Sequence, residues 1–389
     1  MFKHKFWSLP RGYAYTALSY FGIDSLWVIF LQQHGLSLVQ IGLCESIFHL
    51  TSLLSEVPSG ILADHFSYRT NLISSRVAAA LHAIIMLTAT NFWWFVFGFV
   101  LQAWAYNLQS GTLEAWFYET LADDQATERY PQVTSNMNTL IELANALGVL
   151  IAGWLIHGYL AATYWSDLVI AIVTIAVIWR LPEPQHRGTS ANRLSLWQLL
   201  TTALTWLRKL PKLTYLMSFH AVFSAIGMTY YYYFQAVMTN HGFKGPLIAG
   251  ILITVAVLNV FGVQLTPHLQ RRWPPTKLLL GLTGCLLVTL LLMGWGQLTL
   301  LVGGYLLVNM LNAMVEPLMS TYYNTLMPSA QRATLLSISS MIFSLVMIVM
   351  FPAIGWLIEQ LGFATTFSWL GDLLLTSGLI LSLRVVLVN

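Results

Sequence analysis

Residues 182–193 read PEPQHRGTSANR, the longest polar interruption in a chain of 389 residues that is 57% hydrophobic and only 8% charged. Soluble domains carry roughly a quarter of their residues as charges, so most of this chain must face lipid. Apolar runs of about 20 residues, the length that crosses a bilayer as a helix, fall near 13–33, 39–62, 70–90, 92–118, 134–158 and 163–181 before the interruption. Six more follow it, near 213–238, 246–269, 275–295, 297–324, 333–358 and 364–386. The expected fold is an all-α membrane protein of twelve transmembrane helices in two pseudo-symmetric bundles. An N-terminal six-helix bundle occupies 1–181, a cytoplasmic linker 182–212 and a C-terminal six-helix bundle 213–389. Within the linker, Leu194 to Leu210 mixes Leu, Trp and Ala with Gln198, Thr201, Thr202 and Thr205 and ends in Arg208-Lys209. That pattern predicts a helix lying in the membrane interface.

Orientation follows from Lys and Arg, which are retained on the cytoplasmic side of span ends. With both termini cytoplasmic, 17 of the 18 basic residues fall inside and only Lys244 outside. One missed or extra span would invert everything after it, so the partition also supports the span count. The net charge of +3 then reflects topology and not a nucleic-acid partner. Met1-Phe-Lys-His-Lys looks like the basic start of a signal peptide, but the apolar run behind it is span-length and lacks a small-residue cleavage site. It is read as span 1, retained. Cys44 and Cys285 lie inside spans, where a thiol acts as a small apolar group.

The halves resemble each other at a constant offset of 202 residues: Gly60 with Gly262, Arg69 with Arg271, Asn107 with Asn309, Glu114 with Glu316, and GWLI at 153–156 with the same tetrapeptide at 355–358. These identities fall at equivalent places in spans 2, 4 and 5 and spans 8, 10 and 11, as parallel duplicated halves require. Between spans 2 and 3 stands Gly60-Ile-Leu-Ala-Asp64-His-Phe-Ser-Tyr-Arg69. It resembles the signature loop of the major facilitator superfamily, keeping Gly60, Leu62, Ala63, Asp64 and a basic Arg69, with His65, Ser67 and Tyr68 departing from the pattern. FLQQHGLSLVQIG, SEVPSGILAD, SGTLEAWFYETL and QRATLLSISSM look like a bacterial drug-efflux branch of that superfamily. Two features depart from that branch: Asn107 stands about where many drug/proton antiporters carry an arginine, and span 5 keeps Gly148 and Gly153 without the accompanying proline. The resemblance implies the major facilitator fold, a conformational gate at Gly60, Asp64, Arg69 and Arg332, and outward movement of drug-like compounds.

Ionisable groups inside spans are costly, which makes each a functional candidate. They are Asp24, Glu45, Glu56, Glu114, Glu142, Asp167, Glu316 and Asp372, with Arg76 as the one basic residue away from span ends, read as snorkelling to the cytoplasm. Acids without cationic partners disfavour anionic substrates, which call for Arg or Lys forks. Asn107 and Glu114 lie seven residues apart, two turns or about 10.5 Å along one helix face; Asn309, Asn312 and Glu316 repeat the arrangement in span 10. Glu45, His49, Ser52 and Glu56 form one stripe down span 2, either helix-to-helix hydrogen bonding or, with Glu142, a proton relay. Asp167 and Glu359 are read as solvated near the outer surface. Asp24 stands alone near the centre of span 1 as the main protonation or cation-contacting site, weighed against a neutral buried carboxyl.

Span 7 contains Tyr230, Tyr231, Tyr232, Tyr233 and Phe234. A helix sends these rings in every direction, so one or two should face a central cavity, where aromatic faces bind organic cations and flat apolar molecules. No phosphate loop, metal-ligand spacing or nucleophile elbow occurs in the sequence, so neither enzymatic chemistry nor a cofactor is expected. The expected activity is alternating-access transport of small amphipathic neutral or cationic compounds, coupled to protons, by a monomer in the cell membrane. Its rivals are proton-linked uptake of a polar nutrient such as a sugar and a non-transporting membrane receptor.

Overall fold

The computed structural model describes residues 8–156, 158–184, 196–327 and 332–376, apart from some side chains. Every regular element among them is helical. In chain order the first are α1 Ser8–Ser19, α2 Trp27–Gln33, α3 Leu38–His65, α4 Tyr68–Thr88, α5 Phe92–Gln109, α6 Thr112–Asp123, α7 Tyr130–Leu155 and α8 Ala161–Trp179. They are followed by α9 Leu196–Lys209, α10 Pro211–Asn240, α11 Gly245–Arg272, α12 Pro275–Leu292, α13 Leu298–Leu326, α14 Arg332–Leu361 and α15 Phe363–Thr376. Eight stretches, in α3, α4, α7, α8, α11, α12, α13 and α14, are long and apolar enough to cross a membrane. The α10 helix has 30 residues, about 45 Å at 1.5 Å per residue, but its Tyr, His, Ser and Gln side chains make it less apolar. The last expected span continues beyond the described residues.

Two expected spans are broken. Span 1 is not continuous over 13–33: α1 and α2 are separated by Tyr20–Leu26, the segment that carries Asp24. Local turns replace the helical ladder there. The Ile23 N–H bonds the Phe21 carbonyl at 2.7 Å, and the Ser25 N–H and hydroxyl both reach the Gly22 carbonyl, at 3.3 and 2.6 Å. Close packing against α7 shapes this break. A Cβ on Gly22 would lie 1.9 Å from Asn145 Oδ1, and a Cβ on Gly148 would lie 2.6 Å from the Gly22 and Ile23 backbone. Span 4 divides at Ser110-Gly111, where Gly111 has φ of 75°, a left-handed conformation that glycine adopts without steric cost. Asn107 and Glu114 therefore sit on different helices, α5 and α6, and not two turns apart on one face.

Packing separates the chain into two units, Met1–Phe30 with Ile47–Trp197, and Leu31–Ser46 with Gln198–Asn389. In the first, α4 packs on α5 and α8, and α1 on α7 and α8. Tyr15, Leu72, Leu113, Trp116, Phe117 and Ile178 anchor its core. In the second, α12 packs on α13 and α15, α10 on α13 and α14, and α11 on α13. The pairs α4·α5, α4·α8 and α1·α7 thus have counterparts in α12·α13, α12·α15 and α10·α14.

The start of α3 belongs with the second unit because of hydrogen bonds to α14. Pro352 lies inside α14 and has no N–H for the carbonyl four residues earlier. That carbonyl, of Ile348, accepts the Ser46 hydroxyl at 2.7 Å instead. The Tyr233 hydroxyl contacts the carbonyls of Leu38 and Phe351 at 3.2 and 2.9 Å. Glu359, expected to be merely solvated, accepts the Val39 N–H at 3.2 Å and so places a carboxylate at the positive end of α3.

Candidate functional site

Side-chain exposure distinguishes the helices that face lipid from those that do not. Large exposed hydrophobic residues stud α4, α5, α7, α8, α11, α12 and α14, for example Leu81, Leu147, Val169, Val257, Val288 and Val349. Among the described residues α1, α2, α10 and α13 expose none. Past its first turn, the exposed positions of α13 are Gly303, Glu316, Ser320, Thr321, Asn324 and Thr325. A lipid-facing surface of that composition would be costly, so α13 presents this face to water, whereas residues 27–31 of α2 are buried. The α7 helix is mixed: Asn138, Glu142 and Asn145 are exposed along one side, and Leu143, Leu147 and Trp154 along the other.

In the first unit, Asp24 is half-buried in the α1–α2 break and its Oδ2 lies 3.4 Å from Gln102 Nε2. Asp24, Asp167 and the Arg76 guanidinium are within electrostatic reach of one another. Asp167 is half-buried, so this geometry corrects its reading as a solvated surface acid. Arg76 is also corrected. It does not snorkel: it is 8% exposed, with guanidinium donors to Gln109 Oε1 at 2.6 Å and Ser75 Oγ at 3.1 Å, and it lies 6.0 Å from the centre of the Tyr15 ring. Tyr15 donates to the same Gln109 oxygen at 3.0 Å. Sequence reasoning missed Gln109, Gln102 and Tyr15, because their partners lie far away along the chain. Glu114 stands in the first turn of α6, where a carboxylate meets the positive helix end, and its Oε2 is buried without a hydrogen-bond partner among the described residues.

Asn107 is spent on packing. Its amide donates to the Ser52 carbonyl and the Ser55 hydroxyl, both at 2.7 Å, and its oxygen accepts from Ser52 Oγ at 2.8 Å. It joins α5 to the α3 stripe and is not offered to a substrate. Along that stripe Glu45 and His49 are buried and Glu56 is exposed.

In the second unit Tyr230 is fully buried, its hydroxyl 2.9 Å from the Leu301 carbonyl, amid Tyr305, Phe363 and Phe367. It is a packing residue, which corrects its expected place on the path. Tyr231 and Tyr232 are half-exposed, and Tyr231 stacks on Tyr305 at 5.7 Å and 13°. Asn309 and Asn312 turn their amide N–H groups back to the Tyr305 and Val308 carbonyls of their own helix, at 2.7 and 3.1 Å. Asn312 also packs against Gly227 of α10. Glu316 has a partner the sequence did not reveal: its Oε1 lies 3.2 Å from His220 Nε2. Glu114 and Glu316 therefore occupy different surroundings, one at a helix start and one inside a continuous helix beside a histidine.

The expected gate is placed in part. Arg69 ties the start of α4 to the end of α8, its guanidinium reaching the Leu181 carbonyl and its backbone N–H reaching Glu183 Oε1 at 2.6 Å. Arg332 donates to the Asn324 carbonyl at 3.3 Å. The side chain of Asp64 and the surroundings of Gly60 lie outside the described residues. Among the described residues, no group of three or more His, Cys, Asp or Glu side chains could hold a metal ion.

The Major Facilitator Superfamily model matches residues 12–351, and the chain belongs to that superfamily. It is therefore a multi-pass membrane transporter by family. The uncharacterized MFS-type transporter YxaM of Bacillus subtilis (strain 168) is 25% identical over 173 residues, 43% of this chain and 41% of that one. The chain thus aligns with about two fifths of that relative's length. A variant of the nucleoside transporter NupG superposes with a TM-score of 0.80 at 13% identity, over 97% of this chain and 99% of that one. A variant of the peptide transporter POT gives 0.74 at 15% identity over 98% and 93%. The D-xylose-proton symporter gives 0.65 at 16% identity over 94% and 93%. At such identities these structures establish the shared fold.

Proposed function

We propose that this protein moves small amphipathic neutral or cationic compounds across the cell membrane by alternating access, as a monomer, in exchange for protons. The proposal keeps twelve spans with both termini cytoplasmic, spans 1 and 4 crossing as the broken pairs α1–α2 and α5–α6. The observation that carries it is Asp24 in the helix break between α1 and α2, and the polar exposed face of α13 supports it. Irregular backbone at membrane depth is tolerated where it lines a cavity or is buried in protein, and carriers use such breaks for ion and substrate sites. Asp24 and Asp167 favour cations, while the one nearby guanidinium, of Arg76, spends a single terminal nitrogen on Gln109 and Ser75. Tyr231 and Tyr232 supply aromatic faces for a ring-bearing or quaternary compound. Outward direction and drug-like substrates rest on the resemblance of the SEVPSGILAD and SGTLEAWFYETL stretches to the efflux branch.

A cationic substrate reaching Asp24 would displace its proton, and its departure would let the proton return, so the two compete and their movement is exchange. The test is counterflow in proteoliposomes, with a panel of labelled organic cations and neutral amphiphiles. Preloaded unlabelled compound should accelerate entry of labelled compound; no acceleration across the panel would refute transport of this class. Asp24→Asn should weaken cationic compounds more than neutral ones and flatten the pH dependence of binding. A full pH profile retained in that variant would remove Asp24 from the coupling. Proton-linked uptake of a polar nutrient is the alternative that half-exposed Tyr231 beside Tyr305 also suits, and it predicts accumulation driven by an inward proton gradient.

A further inference from the structure

A chain of four side chains crosses three helices of the second unit. Glu316 Oε1 on α13 lies 3.2 Å from His220 Nε2 on α10; His220 Nδ1 lies 3.1 Å from the Tyr323 hydroxyl, back on α13; and that hydroxyl lies 3.3 Å from Ser339 Oγ on α14. Its exposure is graded. The Glu316 side chain is 66% exposed, on a helix face without large apolar residues, and the His220 side chain is 13% exposed. Tyr323 is buried beneath them. Pro317 follows Glu316 inside α13, so the Ala313 carbonyl lacks its helical N–H at that turn and the helix is deformable there.

We propose that His220 and Glu316 form a proton-binding site whose occupancy is transmitted to α14 through Tyr323 and Ser339. With a neutral imidazole that carries its proton on Nε2, 3.2 Å from Glu316 Oε1, Nδ1 accepts the Tyr323 O–H and the Tyr323 oxygen accepts the Ser339 O–H. One proton added to the imidazole makes Nδ1 a donor as well. The Tyr323 oxygen must then accept from Nδ1–H and turn its own O–H toward Ser339 Oγ, and the Ser339 O–H is released to another acceptor. No covalent bond changes other than the new N–H. The added proton on Nδ1 thus reverses the two hydrogen bonds beyond the imidazole, His220 to Tyr323 and Tyr323 to Ser339 on α14, while the Nε2 proton stays on the side of Glu316; Pro352 lies inside that same helix. Among the described residues, the titratable and charged groups in contact with His220 are Glu316 and Tyr323 from α13. Lys212 stands at the far start of α10, Arg332 at the start of α14 is engaged with the Asn324 carbonyl, and Glu359 lies near the other end of α14, bonded to Val39.

This inference rests on the transport reading above and adds a second proton site, independent of Asp24. Two measurements test it. The first is a pH titration of 15N-histidine-labelled protein in nanodiscs, with the His220 resonances assigned by their loss in His220→Gln. Glu316→Gln should shift the His220 titration, and Tyr323→Phe should leave His220 titrating while changing its Nδ1 resonance. This readout needs no transport. A His220 titration indifferent to Glu316→Gln overturns the site, whatever the carrier moves. The second is the ratio of pH-gradient-driven flux to counterflow for one organic cation. It should fall by about tenfold or more in His220→Gln, within the usual span of coupling energies, and fall also in Tyr323→Phe and Ser339→Ala. Wild-type counterflow that is absent would reject the transport reading and leave the titration to judge the site. Wild-type counterflow with an unchanged ratio in Tyr323→Phe and Ser339→Ala rejects the transmission to α14. If His220→Gln fails a monodispersity check, those two variants carry the flux test.

Discussion

Replacing Gly148 by alanine should displace the Asp24 segment. A Cβ at position 148 would lie 2.6 Å from the Gly22 nitrogen, the Gly22 carbonyl carbon and the Ile23 nitrogen, all backbone atoms that no rotamer change can move. Heavy atoms rest about 3.5–4.0 Å apart, so the break between α1 and α2 must retreat from α7 by about 1 Å. Overpacking of this kind costs about 1–3 kcal/mol, partly offset by the gain of about 1 kcal/mol when alanine replaces glycine in a helix. The functional effect should exceed the stability effect. Asp24 Oδ2 is already 3.4 Å from Gln102 Nε2, and a retreat of about 1 Å takes that contact beyond hydrogen-bond range. Gly98→Ala is the control: its Cβ would meet only the side chains of Ile85, His82 and Met86 at 3.4–3.5 Å, an ordinary contact. Thermal unfolding of the purified protein and the pH dependence of cation binding, measured on both variants, decide the matter. Gly148→Ala should lose much of the pH dependence with a modest drop in stability, and Gly98→Ala should keep both. Equal behaviour of the two would refute the argument that the glycine pair positions Asp24.

Ser46→Ala should cost about 1–3 kcal/mol, the penalty of a buried carbonyl left unpaired, because Ile348 would lose its hydroxyl donor; in a Pro352→Ala background, where residue 352 regains an N–H, the same change should cost markedly less. Unfolding of the single and double variants would expose the idea as wrong if the effects simply added. Arg76→Gln should lose charged hydrogen bonds to Gln109 and Ser75, worth about 1.5–3 kcal/mol each. It should also raise the affinity for organic cations, since the guanidinium opposes them near Asp24 and Asp167. Cation affinity that is unchanged or lower would contradict that electrostatic assignment. Tyr231→Ala should weaken ring-bearing cations more than aliphatic ones of equal charge, by about 0.5–2 kcal/mol, read by competition binding; equal losses for both would remove the ring from the site.

What could be read along the chain and what could not divides according to whether a residue's partner is local. Apolar length marked the positions of most of the helices, and the resemblance carried by Gly60 to Arg69 pointed to the superfamily. Asp24 was identifiable because one carboxylate in an apolar run needs an explanation wherever its partners are. Its helix break was not, because Tyr20–Leu26 reads FGIDS at its centre with no proline, and a lone glycine in a span predicts close packing as readily as a bend. Its packing partners lie about 125 residues on, at Asn145 and Gly148, which crowd against the Gly22 backbone. Arg76 fails for the same reason. Eight residues into α4, about 12 Å from its first residue, it could extend outward or turn inward, and only Gln109, on another helix, decides between them.

The second unit carries this one step further. The tyrosine run promised that some rings would face water, and the helical spacing allowed any of them. Tyr230 and Tyr233 turned out buried and bonded to backbone carbonyls, because α13, α14 and the start of α3 enclose those two sides of α10; Tyr231 and Tyr232 remain on its open side. His220 lies eleven residues before Tyr231, close to three helical turns, and so shares that open side. A carboxylate exposed on a neighbouring water-facing helix is the partner such a histidine would require, and Glu316, with Pro317 loosening the turn behind it, is the one α13 provides. The pairing therefore had a signal in the sequence, the common face of His220 and Tyr231, but it becomes specific only once α13 is known to pack against α10. This is why Glu316 could be named a candidate before its partner could be: a membrane carboxylate announces itself by its cost, whereas its partner depends on which helix lies alongside.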